Sequence, residues 1–78
     1  MSTTIEVTMP GNLRVEAKVG GFVVPTDQPK SSGGEGSAPE PFALFVCSLA
    51  TCAGYYALQF CRTRDIATDE LKLMVEFD

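Results

Sequence analysis

The sequence predicts an α+β fold: an antiparallel three-stranded meander, a long central helix and a further strand. Three observations predict it. Short segments near the N-terminus alternate apolar and polar residues between turn signals. Residues 41–61, PFALFVCSLATCAGYYALQFC, run without a charge. Residues 71–77, LKLMVEF, alternate once more.

The elements follow in order. Residues 4–9, TIEVTM, have the two-residue period of a strand, and Pro10-Gly11-Asn12 is a turn signal. Residues 13–19, LRVEAKV, place Leu13, Val15, Ala17 and Val19 on one face. Gly20-Gly21 suits a tight hairpin. Phe22-Val23-Val24 reads as a third short strand closed by Pro25.

Residues 25–41, PTDQPKSSGGEGSAPEP, hold four of the five prolines. Two readings compete for them: a flexible connection, or a loop shaped for a site, since functional side chains concentrate on loops held by a scaffold. Ser37-Ala-Pro-Glu40 has the form of a capping box. A helix capped at Ser37 would put Pro41 where an intrahelical N–H is needed, so the helix is expected to start near Pro41. Arg62 and Arg64 suit its negative end, near Arg64. Residues 65–70 are a polar connection. Residues 71–77 follow as a fourth strand, with Leu71, Leu73, Val75 and Phe77 on one face.

The totals limit the function. Seventy-eight residues make one small domain with a modest core. The net charge is −4, and no basic block supports nucleic-acid binding. The absence of histidine excludes Cys-His and Ser-His catalytic pairs and His-containing zinc sites within this chain. The start, Met1-Ser-Thr-Thr-Ile, has neither the basic nor the apolar region of a secretory signal. A cytoplasmic, reducing location is therefore expected.

Cys47, Cys52 and Cys61 all fall on the expected helix. At about 100° per residue, Cys47 and Cys52 are about 140° apart around the axis, and Cys47 and Cys61 about 21 Å apart along it. A disulfide needs Cα atoms within about 7 Å, so no pair qualifies, and a shared metal fails for the same reason. Packing is the ordinary role of a free cysteine. A membrane reading also exists, because 21 uncharged residues can span a bilayer and Ala50 and Gly54 form a small-xxx-small pair. Ser48, Thr51, Gln59 and the amphipathic strands on both sides favour a helix enclosed by sheets instead.

The ordered set GGEGSAPEPFALFVCSLATC, then FCRTRDI and an alternating strand, resembles the OsmC/Ohr family (osmotically inducible protein C and organic hydroperoxide resistance proteins). The shared pattern is a Gly-Gly loop (Gly33-Gly34), a proline opening the central helix (Pro41) and a cysteine eleven residues later (Cys52). The resemblance covers essentially all 78 residues as one OsmC-like domain, corresponding to the N-terminal half of a typical member.

The resemblance implies a homodimer in which two chains intertwine and their sheets wrap the helices. It implies a thiol-dependent hydroperoxide reductase, with Cys52 as the peroxide-attacking residue, an external dithiol as reductant and no organic cofactor or metal. Lys30 stands where the family has a thiolate-stabilising arginine. Phe42 and Ala43 stand where it has a glutamate, with Glu40 just before the proline. Phe42, Phe45, Leu49, Tyr55 and Tyr56 would line a pocket for a small apolar peroxide, or else pack as core. The alternatives are a non-catalytic OsmC-like binding or structural module, and a truncated fragment that has lost the chemistry.

Overall fold

The computed structural model describes residues 2–78. The chain forms two units, Met1–Leu44 and Phe45–Asp78.

The first unit is built on strands β1 (Glu6–Gly11), β2 (Arg14–Val19) and β3 (Phe22–Thr26), an antiparallel sheet in the order β1-β2-β3. The expected meander is present. Gly20 and Gly21 close β2 onto β3 with φ of 54° and 83°, so Val19 faces Phe22. Two consecutive positive φ values define the hairpin turn that matches strand twist, and glycine reaches them without a Cβ penalty. The first hairpin turns at Asn12-Leu13, with Gly11 opposite Arg14 and Asn12 at φ 47°. The expected turn one position earlier and the strand start at Leu13 are corrected accordingly. Asparagine tolerates a left-handed backbone that leucine does not.

Proline does not close the third strand. Pro25 lies within β3, opposite Glu16, and the strand runs on to Thr26, whose hydroxyl donates to the Val15 carbonyl at 2.6 Å. An edge strand leaves alternate N–H groups unpaired, so it accepts a proline there. Pro10 is accommodated in the other edge strand by an irregular register between Thr8 and Gly11.

Helix α1 (Pro41–Thr63) begins where expected. The Glu40 carbonyl accepts the first intrahelical bond, from Leu44 N–H at 3.2 Å, which makes Pro41 the first helical residue. The far end is a Schellman closure: Ile66 N–H reaches the Cys61 carbonyl at 2.9 Å and Asp65 N–H the Arg62 carbonyl at 3.4 Å, with Asp65 left-handed at φ 55°.

The expected fourth strand is not formed. Residues 71–78 carry no regular structure. Alternation fits a residue run to a sheet, but a strand exists only when a neighbour supplies the ladder. Here the segment has the pattern without the ladder. Leu71, Leu73, Val75 and Phe77 remain 40–54% exposed.

Among the described residues no apolar side chain is buried, and the one fully buried side chain is Asp27. Half-buried positions recur along α1 at Ala50, Gly54, Ala57 and Cys61, the three-to-four spacing of a single face. By length and composition, α1 is the one described helix that could cross a membrane, and none of its apolar window is buried.

Candidate functional site

The loop between β3 and α1 is organised by Asp27. Its Oδ1 accepts Gln28 N–H at 2.7 Å, and its Oδ2 accepts the Ser37 hydroxyl at 2.6 Å and Ser37 N–H at 3.1 Å. The Asp27 N–H in turn donates to the Pro39 carbonyl at 3.1 Å. One carboxylate therefore pins residues ten positions apart, and the segment is a shaped loop. The Asp27 pKa is lowered to about 2, with the Ser37 hydroxyl as the largest cause. Burial pushes the other way, and the backbone N–H groups of Gln28, Ser37 and Glu35 add to the lowering.

The Gly33-Gly34 pair has two separate reasons. Gly33 sits at φ 94°, closing the short 3-10 turn Lys30–Ser32. Gly34 has no room for a side chain, because a Cβ there would overlap the Gln28 carbonyl and approach Asp27 Oδ1 to 2.9 Å. Asn12, at the tip of the first hairpin, donates to the Gly33 carbonyl at 3.3 Å and to Glu35 Oε2 at 3.4 Å. Lys30 is exposed on this framework, in the first unit. Phe42, also in the first unit, lies in the first turn of α1 and is 61% exposed.

Cys52 lies in the second unit, exposed, as a free thiol. Helical geometry places Phe45, Leu49, Tyr55 and Tyr56 within about 60° of it around the axis. These four side chains are 56–66% exposed, and the Tyr55 and Tyr56 rings meet edge to face at 5.4 Å. Cys52 thus stands in the middle of an uncovered aromatic and aliphatic face. Within one chain these side chains form an open surface rather than an enclosed pocket. Among the described residues no hydrogen-bond donor reaches the Cys52 sulfur.

Cys47, expected to pack, is exposed, because nothing in the second unit covers its side of α1. Cys61 is half-buried. The helix's own hydroxyls are satisfied internally: Ser48 Oγ donates to the Phe45 carbonyl at 2.6 Å, and Thr51 Oγ1 reaches the Cys47 carbonyl at 2.9 Å. This lowers the polarity of the helix below what its composition suggests. Among the described residues no cluster of three or more His, Cys, Asp or Glu side chains has metal-binding geometry.

Asp27 is the residue that reading the sequence missed. An aspartate after a strand and before a proline signals only a local turn. Its decisive partner, Ser37, is too remote for spacing to suggest. Comparison with protein-family models, curated proteins and solved structures returns no match for this chain.

Proposed function

We propose that this chain is an OsmC/Ohr-like cytoplasmic redox protein, a thiol-dependent reductase of organic hydroperoxides in which Cys52 is the reactive residue. The observation that carries the reading is the setting of Cys52: a free, exposed thiol centred on an apolar helix face. Behind it stands the order of meander, Gly-Gly loop, Pro41 and helix. Such a face suits a hydrophobic peroxide once a second layer closes over it.

The chemistry is a two-electron oxidation of sulfur. The Cys52 thiolate attacks the outer peroxide oxygen and the O–O bond breaks. The sulfur becomes a sulfenic acid, and the alkoxide leaves as an alcohol after taking a proton. An external dithiol then restores the thiol, forming its own disulfide and releasing water. Lys30 is the candidate cation for holding the thiolate.

The second layer is a second copy of the chain. That copy would cover the α1 face on which Phe45, Leu49, Tyr55 and Tyr56 are 56–66% exposed, as the largely apolar interfaces of obligate homodimers do.

A second reading is a binding or structural module of the same fold without peroxidase chemistry. It is favoured by the finding that, among the described residues, no donor reaches Cys52 Sγ. Treating the protein with cumene hydroperoxide in the presence of dimedone separates the two. The peroxidase reading expects a dimedone adduct on Cys52, mapped by mass spectrometry and absent from Cys52→Ser. Labelling of all three cysteines in proportion to their exposure would leave the module reading standing.

A further inference from the structure

Residues 71–77, LKLMVEF, have a strand's alternation and no ladder. Their backbone is open in a particular way. The Leu71 N–H is committed to the Thr68 carbonyl at 3.1 Å. Among the described residues, the N–H and C=O groups of Lys72, Met74 and Glu76 have no hydrogen-bond partner. In an extended strand these three residues present their backbone groups along one edge. The apolar side chains have a backing: Leu71, Leu73 and Val75 line an open groove with Ala50, Gly54 and Leu58 of α1, all in the second unit. A two-stranded ribbon alone is marginal in water, and packing against a helix is one way it persists.

The segment is also self-complementary about Met74, which is 84% exposed. Lys72 and Glu76 stand two positions to either side, Leu73 and Val75 one, and Leu71 and Phe77 three. An antiparallel pair with its two-fold axis at Met74 sets each Lys72 opposite a Glu76, each Leu73 opposite a Val75 and each Leu71 opposite a Phe77. Opposite charges and apolar partners are the favourable cross-strand pairs. A parallel pair in register would set lysine on lysine and glutamate on glutamate. An antiparallel pair shifted by one residue would set apolar side chains opposite charged ones. One centred on Leu73 would set Glu70 opposite Glu76. In the Met74 register Glu70 falls opposite Asp78, which confines the pairing to residues 71–77.

We propose that residues 71–77 pair antiparallel with the same segment of a second copy of this chain, with Met74 opposite Met74. The ladder bonds come from Lys72, Met74 and Glu76, whose backbone groups are open, and Leu71 keeps its bond to Thr68 on the outer edge. The contact is isologous, each copy giving the same surface. Gly54, in the groove, and Cys52 are about 160° apart around α1. The contact is therefore separate from the face around Cys52, and it stands whether or not that thiol reacts with peroxide.

The test is disulfide cross-linking of the full chain with Cys47, Cys52 and Cys61 replaced by serine. Residues opposite each other in a hydrogen-bonded pair have Cα atoms about 5.5 Å apart, within the span of a disulfide. Met74→Cys should form a covalent dimer under air oxidation about tenfold faster than Lys72→Cys or Glu76→Cys alone, whose equivalent positions would be about 14 Å apart. Mixing the Lys72→Cys and Glu76→Cys proteins should restore fast cross-linking, between unlike chains. Lys72→Glu should slow the Met74→Cys cross-link about tenfold, and adding Glu76→Lys should bring it back. The same charge exchange is read with the three native cysteines in place, as the self-association constant by sedimentation equilibrium, so the result does not depend on the serine background folding. Equal cross-linking at the three positions would overturn the proposal, as would failure of the doubly exchanged protein to recover in either measurement.

Discussion

Ser37 donates its hydroxyl hydrogen to Asp27 Oδ2 at 2.6 Å, joining the two ends of the loop that leads into α1. That bond, with the backbone N–H groups of Gln28, Ser37 and Glu35 and against the effect of burial, lowers the Asp27 pKa from 3.8 to about 2, so the carboxylate's contribution to stability has a defined pH window. A carboxylate with a depressed folded-state pKa contributes fully above its unfolded value, near 3.9, and loses that contribution as pH falls toward about 2. Melting temperature measured against pH should fall more steeply below about pH 4 in the wild type than in Asp27→Asn. Ser37→Ala should lower the melting temperature at neutral pH by several degrees and shift the acid transition upward.

The two loop glycines should respond differently to alanine. Gly33→Ala places a Cβ on a left-handed backbone, at a cost of about 1–2 kcal/mol. Gly34→Ala drives a Cβ into the Gln28 carbonyl, a backbone atom that cannot rotate away. Its cost should reach the upper part of the overpacking range, about 3 kcal/mol. Urea denaturation of both variants checks the order; equal or inverted costs would contradict the loop geometry.

Asp65 closes α1 in a left-handed conformation that glycine adopts more readily. Asp65→Gly should stabilise the chain by about 0.5–1 kcal/mol, read from the urea midpoint at unchanged slope. Asp65→Val, β-branched at a positive φ, should destabilise it.

The uncovered face of α1 predicts a homodimer without detergent in sedimentation equilibrium. Leu49→Glu puts a charge in the middle of that face and should shift the population to monomer or to aggregate. A wild-type chain that is monomeric, or that leaves the membrane fraction only with detergent, would contradict the second-copy layer.

The parts of the fold that local chemistry dictates were legible in the sequence. Gly20-Gly21 permits one kind of hairpin, and Pro41 permits one kind of helix start. What depends on a distant neighbour was not. LKLMVEF has a strand's alternation, yet residues 71–77 lie without a ladder, because periodicity describes a residue run and says nothing of its partner. Pro25 resembles a strand terminator in sequence, and only its place on an edge strand lets β3 continue through it. The same limit hid Asp27, whose importance arises from Ser37. For the candidate site, the pattern of Pro41 and Cys52 marks the cysteine, and the helical period groups Phe45, Leu49 and Tyr56 with it. That the whole face stays exposed depends on what the rest of the fold covers, which no local pattern records.

The central claim, that Cys52 is a peroxide-reactive thiol, is tested most directly by its rate of oxidation. Cumene hydroperoxide is mixed with the protein, and the loss of each thiol is followed by quenched alkylation and mass spectrometry. Cys47 serves as the exposed control on the same helix. The account predicts that Cys52 is lost at least 100-fold faster than Cys47, a difference of about 2.7 kcal/mol in activation free energy, and that Lys30→Ala slows Cys52 alone. Equal rates for Cys52 and Cys47 would contradict it.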